Sequence, residues 1–377
     1  MKKYFGKLRF FWIVLWIVPA LPLSASSARI YSLNIDGASV TVIDPVTNKV
    51  VTTIEGIPWP RGAAFSSDGS FAYICSEEEH TLDVVDTKTW EITKKVHLSG
   101  HPSGSLVTTK DGKYVMVPMN PFYGLALKHH DPVETGGVDI VDTSSLERVK
   151  TLPMKEAVHD LFITPDGKHV LAGSATANFI TLIDVQSQEA AGTIPLDATP
   201  LTMAIESGPD GSTSRVFVEL KSLNGFVVVD FRKRKAVAKI DFPDTIKYSF
   251  AALPNKAAGA TKGVTPIEYN PTHGTDITPD GKTLWICSRG TNYVYIYSLP
   301  DLKLAGHIFL PSREKSGGGK VETGDPHWLV FAPDGKTAYI GLAHFNSVVA
   351  IDVKSLKETA QIPVGDAPKM VASSVLP

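Results

Sequence analysis

A chain of 377 residues, 43% of them hydrophobic and 20% charged, carries ample apolar material for a packed core, which excludes a disordered class. Its formal net charge of -2 offers no basic field to a phosphate backbone, so nucleic acid is not an expected partner. Two cysteines, Cys75 and Cys287, exclude a scaffold built on disulfides.

The first 28 residues differ from the rest. Lys2, Lys3, Lys7 and Arg9 form a basic head, an apolar run spans residues 10–23, and small residues follow to Ala28. This reads as a secretory signal peptide cleaved after Ala25 or Ala28. The run is short for a membrane span. The expectation is therefore residues 1–28 as a signal, residues 29–377 as one domain, a periplasmic or secreted address, and no stable membrane insertion after cleavage.

Next comes a repeat. Its clearest copies run from His159 to Gly167, from His273 to Gly281 and from His327 to Gly335, each a histidine, an apolar run, and Pro-Asp-Gly. Pro fixes φ and Gly accepts positive φ, so each copy reads as a strand ending in a tight turn. Weaker copies end at Asp68-Gly69, Asp111-Gly112 and Asp210-Gly211. The turns are spaced by 43, 55, 44, 70 and 54 residues, a base period near 43 with insertions. An alternating strand follows each turn. A further strand ends in an apolar-Asp pair, as at Val85-Asp86, Val141-Asp142 and Ile351-Asp352. Four short strands per period make a β-propeller blade. Because Ile43-Asp44 precedes Asp68-Gly69, the first of these repeat turns, the chain begins in mid-blade, and residues 365–372 supply the missing first strand. The prediction is an all-β, seven-bladed propeller, closed by pairing of the C-terminal strand with three N-terminal strands. Cys75 and Cys287 hold equivalent positions in distant blades and are expected as buried free thiols.

Asp-Gly-Lys followed by Val-x-x-Ile-Asp and Ile-Pro-Val-Gly-x-x-Pro resembles the YVTN β-propeller repeat over roughly residues 29–377. That resemblance implies the fold and leaves the function open.

The long insertions, residues 119–136, 243–270 and 311–325, should gather on the rim opposite the Asp-Gly turns, where binding loops belong. His159, His273 and His327 share one register at the channel mouth, in blades three, five and six. Arg61, Gly104, Met203 and Lys369 hold that register in the other blades. His101 lies just outside it, and His80, His129, His130 and His344 sit on loops of the same rim. Several imidazoles converging on a shaded cavity suit a transition metal, copper best, with His159, His273 and His327 as ligands and His101, His344, His130 or His129 completing the set. An alternative is a haem-like cofactor with an imidazole axial ligand and Arg61 and Lys369 holding its carboxylates. Either suggests a small-molecule oxidoreductase whose anionic substrate is oriented by Arg61 or Lys369. The competing reading is a non-catalytic scaffold that binds a protein or glycan partner on its rim loops. The histidine placement resembles that of exported copper propellers of the nitrous oxide reductase and thiocyanate dehydrogenase type, and Pro326-His327 with His344 resembles the d1-haem propellers. Lactonases of this fold hold calcium through acids in the channel, and the register lacks those acids.

Overall fold

The computed structural model describes residues 27–121, 136–243, 270–314 and 321–377. Residues 1–26 of the expected signal peptide and the pair His129-His130 lie outside these residues. Seven four-stranded antiparallel sheets and one two-stranded ribbon form the described regular structure. No described helix is long and apolar enough to cross a membrane.

Each sheet is one blade. The first strands of blades one to seven are Pro60–Phe65, Val107–Thr108, Val158–Ile163, Pro200–Ser207, Thr272–Ile277, Pro326–Phe331 and Pro368–Val375. They surround a central channel of about 410 Å³. The last of them pairs antiparallel with Ala28–Asn34, which continues into Ser39–Asp44 and Lys49–Glu55. The C-terminal strand thus shuts the ring against the N-terminal three, as the mid-blade start predicts, and closure removes two sheet edges. No covalent latch is involved: Cys75 and Cys287 are free and buried. Burial pushes the Cys75 thiol up to about 12.

Two recurring turns set the blade geometry. In the first, the Asp of Asp-Gly accepts the N–H two residues on, as Asp166 does from Lys168 at 3.1 Å, and Gly167 takes a φ of 71°. In the second, the Asp of the apolar-Asp pair accepts N–H groups of the following turn, as Asp86 does from Lys88 and Thr89. The residue four places after that Asp is left-handed: Asn48, Trp90, Leu146, Gln188, Arg234 and Leu356 all have φ between 51° and 64°. A register shift beside each such turn adds twist to the outer strand.

Two details depart from expectation. Residues 312–323 are not a plain loop, since Ser312–Glu314 pairs with Val321–Thr323 as a ribbon. In blade four, Pro200 pairs with Leu220 just as Val158 pairs with Ser174 and Thr272 with Ser288. Leu201, not Met203, therefore holds the histidine register. Counting back from Asp-Gly misplaced it because the Pro200–Ser207 strand is two residues longer than the three strands that carry the histidines.

Candidate functional site at the channel mouth

His159, His273 and His327 each follow the first paired residue of an inner strand, so three separate blades bring them to one rim. The ring centroids of His159 and His273 are 5.9 Å apart, and those of His273 and His327 are 4.2 Å apart. Two backbone positions permit this crowding. A Cβ on Gly274 (φ 97°) would stand 2.8 Å from the His327 carbonyl oxygen. A Cβ on Gly104 would stand 2.2 Å from that of His159.

The rings are anchored through Nδ1. His159 Nδ1 lies 2.6 Å from Asp160 Oδ2, and His273 Nδ1 lies 3.0 Å from the His327 carbonyl oxygen. Asp160 is buried and also accepts the backbone N–H of Ser105 from blade two. Such a bond puts the proton on Nδ1 and leaves Nε2 with the lone pair. His327 Nδ1 is buried with no hydrogen-bond partner among the described residues. Burial, reinforced by the neighbouring His159 and Arg289, holds the His273 imidazole down to about 3. Burial and His273 likewise hold His327 well below its ordinary value. Both rings are therefore neutral at pH 7.

Charged groups frame the rings. Arg289 donates to both oxygens of Asp325, at 2.6 and 3.0 Å, and both side chains are buried. Burial pushes the Asp325 carboxyl up, but the Arg289 guanidinium outweighs it and holds the group below its ordinary value. His344 donates from Nδ1 to the Thr323 carbonyl and places Nε2 3.6 Å from Asp325. Arg61 pairs with the buried carboxylate of Glu77. Burial, then the positive charge of Arg61, brings the Lys369 ammonium down to about 8. Glu219 is fully buried, and neither carboxyl oxygen has a hydrogen-bond partner of good geometry. Burial pushes it far above the carboxylate range, against a smaller pull from the Thr272 hydroxyl.

His101 is buried and shares a 2.9 Å contact between its Nδ1 and His80 Nε2. The two rings meet edge to face with centroids 3.9 Å apart. Sequence reasoning missed Arg289 and Glu219. Arg289 directly follows a second strand, at the position held by Glu77 and Lys221 in other blades, and this polar recurrence was readable. The histidine register itself holds no acid, but carboxylates flank it. Asp160 and Asp325 belong to the mouth, and Glu219 reaches it from a second strand rather than from the histidine register. Among the described residues, no three His, Cys, Asp or Glu side chains stand as a ready-made metal ligand set.

A family model described as Lactonase, 7-bladed beta-propeller matches residues 25–197. Among solved structures, hydrazine synthase of Kuenenia stuttgartiensis aligns with a TM-score of 0.64 at 20% identity, covering 89% of this chain and 94% of that one. The periplasmic gluconolactonase of Pseudomonas aeruginosa aligns with a TM-score of 0.64 at 16% identity over 93% and 99%. The dihydro-heme d1 dehydrogenase NirN aligns with a TM-score of 0.59 at 15% identity over 94% and 76%. At these identities the likeness concerns the fold.

Proposed function

We propose that this is an exported propeller whose channel mouth binds a transition metal, copper in the first instance, or a metal-bearing cofactor. The observation that carries the reading is the gathering of imidazoles from three blades at one rim, with the His273 ring 5.9 Å from that of His159 and 4.2 Å from that of His327. His159 and His273 are fixed through Nδ1, which is how ligating histidines are commonly oriented. The unpartnered buried Nδ1 of His327 is a further open donor. Rings sharing a metal at about 2.0–2.1 Å stand with centroids about 4.5–5.5 Å apart, and the observed separations bracket that range. Small ring rotations would complete the set. A bound copper ion would supply redox and Lewis-acid chemistry there. The chain's own part is to keep the rings neutral by burial, to shade the site, and to orient an anion with Arg61 and Lys369.

The test is elemental analysis and an absorption spectrum of the full chain after reconstitution with Cu²⁺. One metal per chain is expected, lost when His159, His273 and His327 are all changed to Ala with the fold retained. Metal content far below one per chain in the unaltered protein, or unchanged in the triple variant, overturns the reading.

The lactonase match favours a second reading, hydrolysis of a sugar lactone at the same mouth with Asp160, Glu219 or Asp325 as the acid–base groups. Gluconolactone turnover that survives the triple histidine change but fails in Asp325→Asn would select it.

A further inference from the structure

Below the mouth, the channel has a different chemistry. Its lining is apolar apart from a few hydroxyls, and Asp276 is the only ionisable side chain among the described lining residues. The strand registers put Ala64, Val107, Phe162, Ala204, Val330 and Ala372 at the equivalent rung of the other six blades. One blade in seven thus replaces a hydrocarbon with a carboxyl group. Asp276 accepts the N–H of Ile277 at 2.8 Å and that of Phe331 on the next blade. Burial still pushes it up to about 7. Two amide donors leave a half-buried carboxylate short of compensation, and no side-chain cation lines the cavity to supply it.

Phe65, Phe162 and Trp328 also line this space. Aromatic side chains together with one carboxylate, in a cavity lined mainly by apolar residues, favour a cation with an apolar coat over a strongly hydrated metal ion or primary ammonium. The volume of about 410 Å³ lies within the ~300–1,000 Å³ of small-molecule pockets. We propose that the channel is a second binding site, for a small quaternary or alkylated ammonium ion held by Asp276 and the aromatic side chains Phe65, Phe162 and Trp328. This site adjoins the histidine mouth, since the Trp328 ring lies 5.6 Å from that of His273, but none of the three imidazoles lines it.

The test is calorimetric titration of the full chain, at about pH 8 where the carboxyl is mostly ionised, with choline and with its neutral isostere 3,3-dimethyl-1-butanol. Choline should saturate one site per chain and bind roughly tenfold or more tightly than the alcohol. Asp276→Asn should erase that preference, and Phe162→Leu should reduce it about threefold. Absence of saturable choline binding to the unaltered chain, or equal affinity for the two probes, overturns the proposal. If Asp276→Asn does not fold, Phe162→Leu decides alone: an unchanged ratio of the two affinities also overturns it.

Discussion

The two ends of the propeller use the same residue type in opposite ways. On the face of the Asp-Gly turns, each aspartate is satisfied by its own turn. Asp68 accepts from the Ser66 and Ser70 hydroxyls and the Ser70 N–H, and these bonds hold its carboxyl down to about 2. At the mouth, the carboxylates are buried, and apart from the contact of Asp160 with its neighbour His159 their partners are distant in sequence. Asp325 relies on Arg289, and Asp160 on the N–H of Ser105 from another blade. A locally satisfied aspartate shapes the chain whether or not the ring is closed. A remotely satisfied one is ordered only once the blades have assembled, and its neighbours are what binding can use.

The sharpest way to break this comparison is to remove one cation from each face. Arg289→Ala leaves Asp325 buried and unpaired, and should cost about 3–5 kcal/mol in urea unfolding. Lys168→Ala removes an exposed partner 3.7 Å from Asp166 and should change stability by close to nothing. Equal costs would mean that the mouth is far more solvated than its burial indicates.

Asp276 gives a smaller effect with a defined sign. Its folded value of about 7 lies above the ordinary aspartate value, so between about pH 4 and pH 7 the folded chain holds the extra proton. Its stabilising contribution is full below about pH 4, declines as pH rises to about 7, and is flat beyond. Asp276→Asn removes that slope. Relative to the unaltered protein it should gain on the order of 2 kcal/mol between pH 5 and pH 8. Parallel stability–pH curves for the two proteins would place the carboxyl in water.

Ring closure was legible because Ile43-Asp44 stands before Asp68-Gly69, the first Asp-Gly turn of the repeat, and a shared blade accounts for it. The gathering of His159, His273 and His327 was legible because a fixed distance to Asp-Gly is a fixed height on an inner strand. Met203 shows the limit of that ruler: two extra residues in one strand moved it down the channel. The left-handed residues after each apolar-Asp turn were not legible either. Trp90, Leu146 and Leu356 carry no sign of positive φ, and their conformation is imposed by the turn and the bulge it starts. Arg289 and Glu219 escaped because their importance lies in burial. Asp276 stood in plain view as the one acid among apolar equivalents, but its placement in a channel needed the blades to be assembled.

A further, small predicted effect tests the turn face itself. Asp166 accepts the Lys168 N–H at 3.1 Å and the Thr164 hydroxyl at 2.7 Å. Gly167 supplies the left-handed residue regardless. Asp166→Ala therefore removes two local bonds but leaves a backbone that still turns, and should cost about 1 kcal/mol. Asp166→Asn, whose carbonyl accepts the same donors, should restore most of it. Neither change should alter metal content or choline affinity, because no bond of Asp166 crosses to the mouth. A loss of either ligand on changing this one turn would show that the two faces are coupled through the blade, and that local satisfaction does not make an aspartate merely structural.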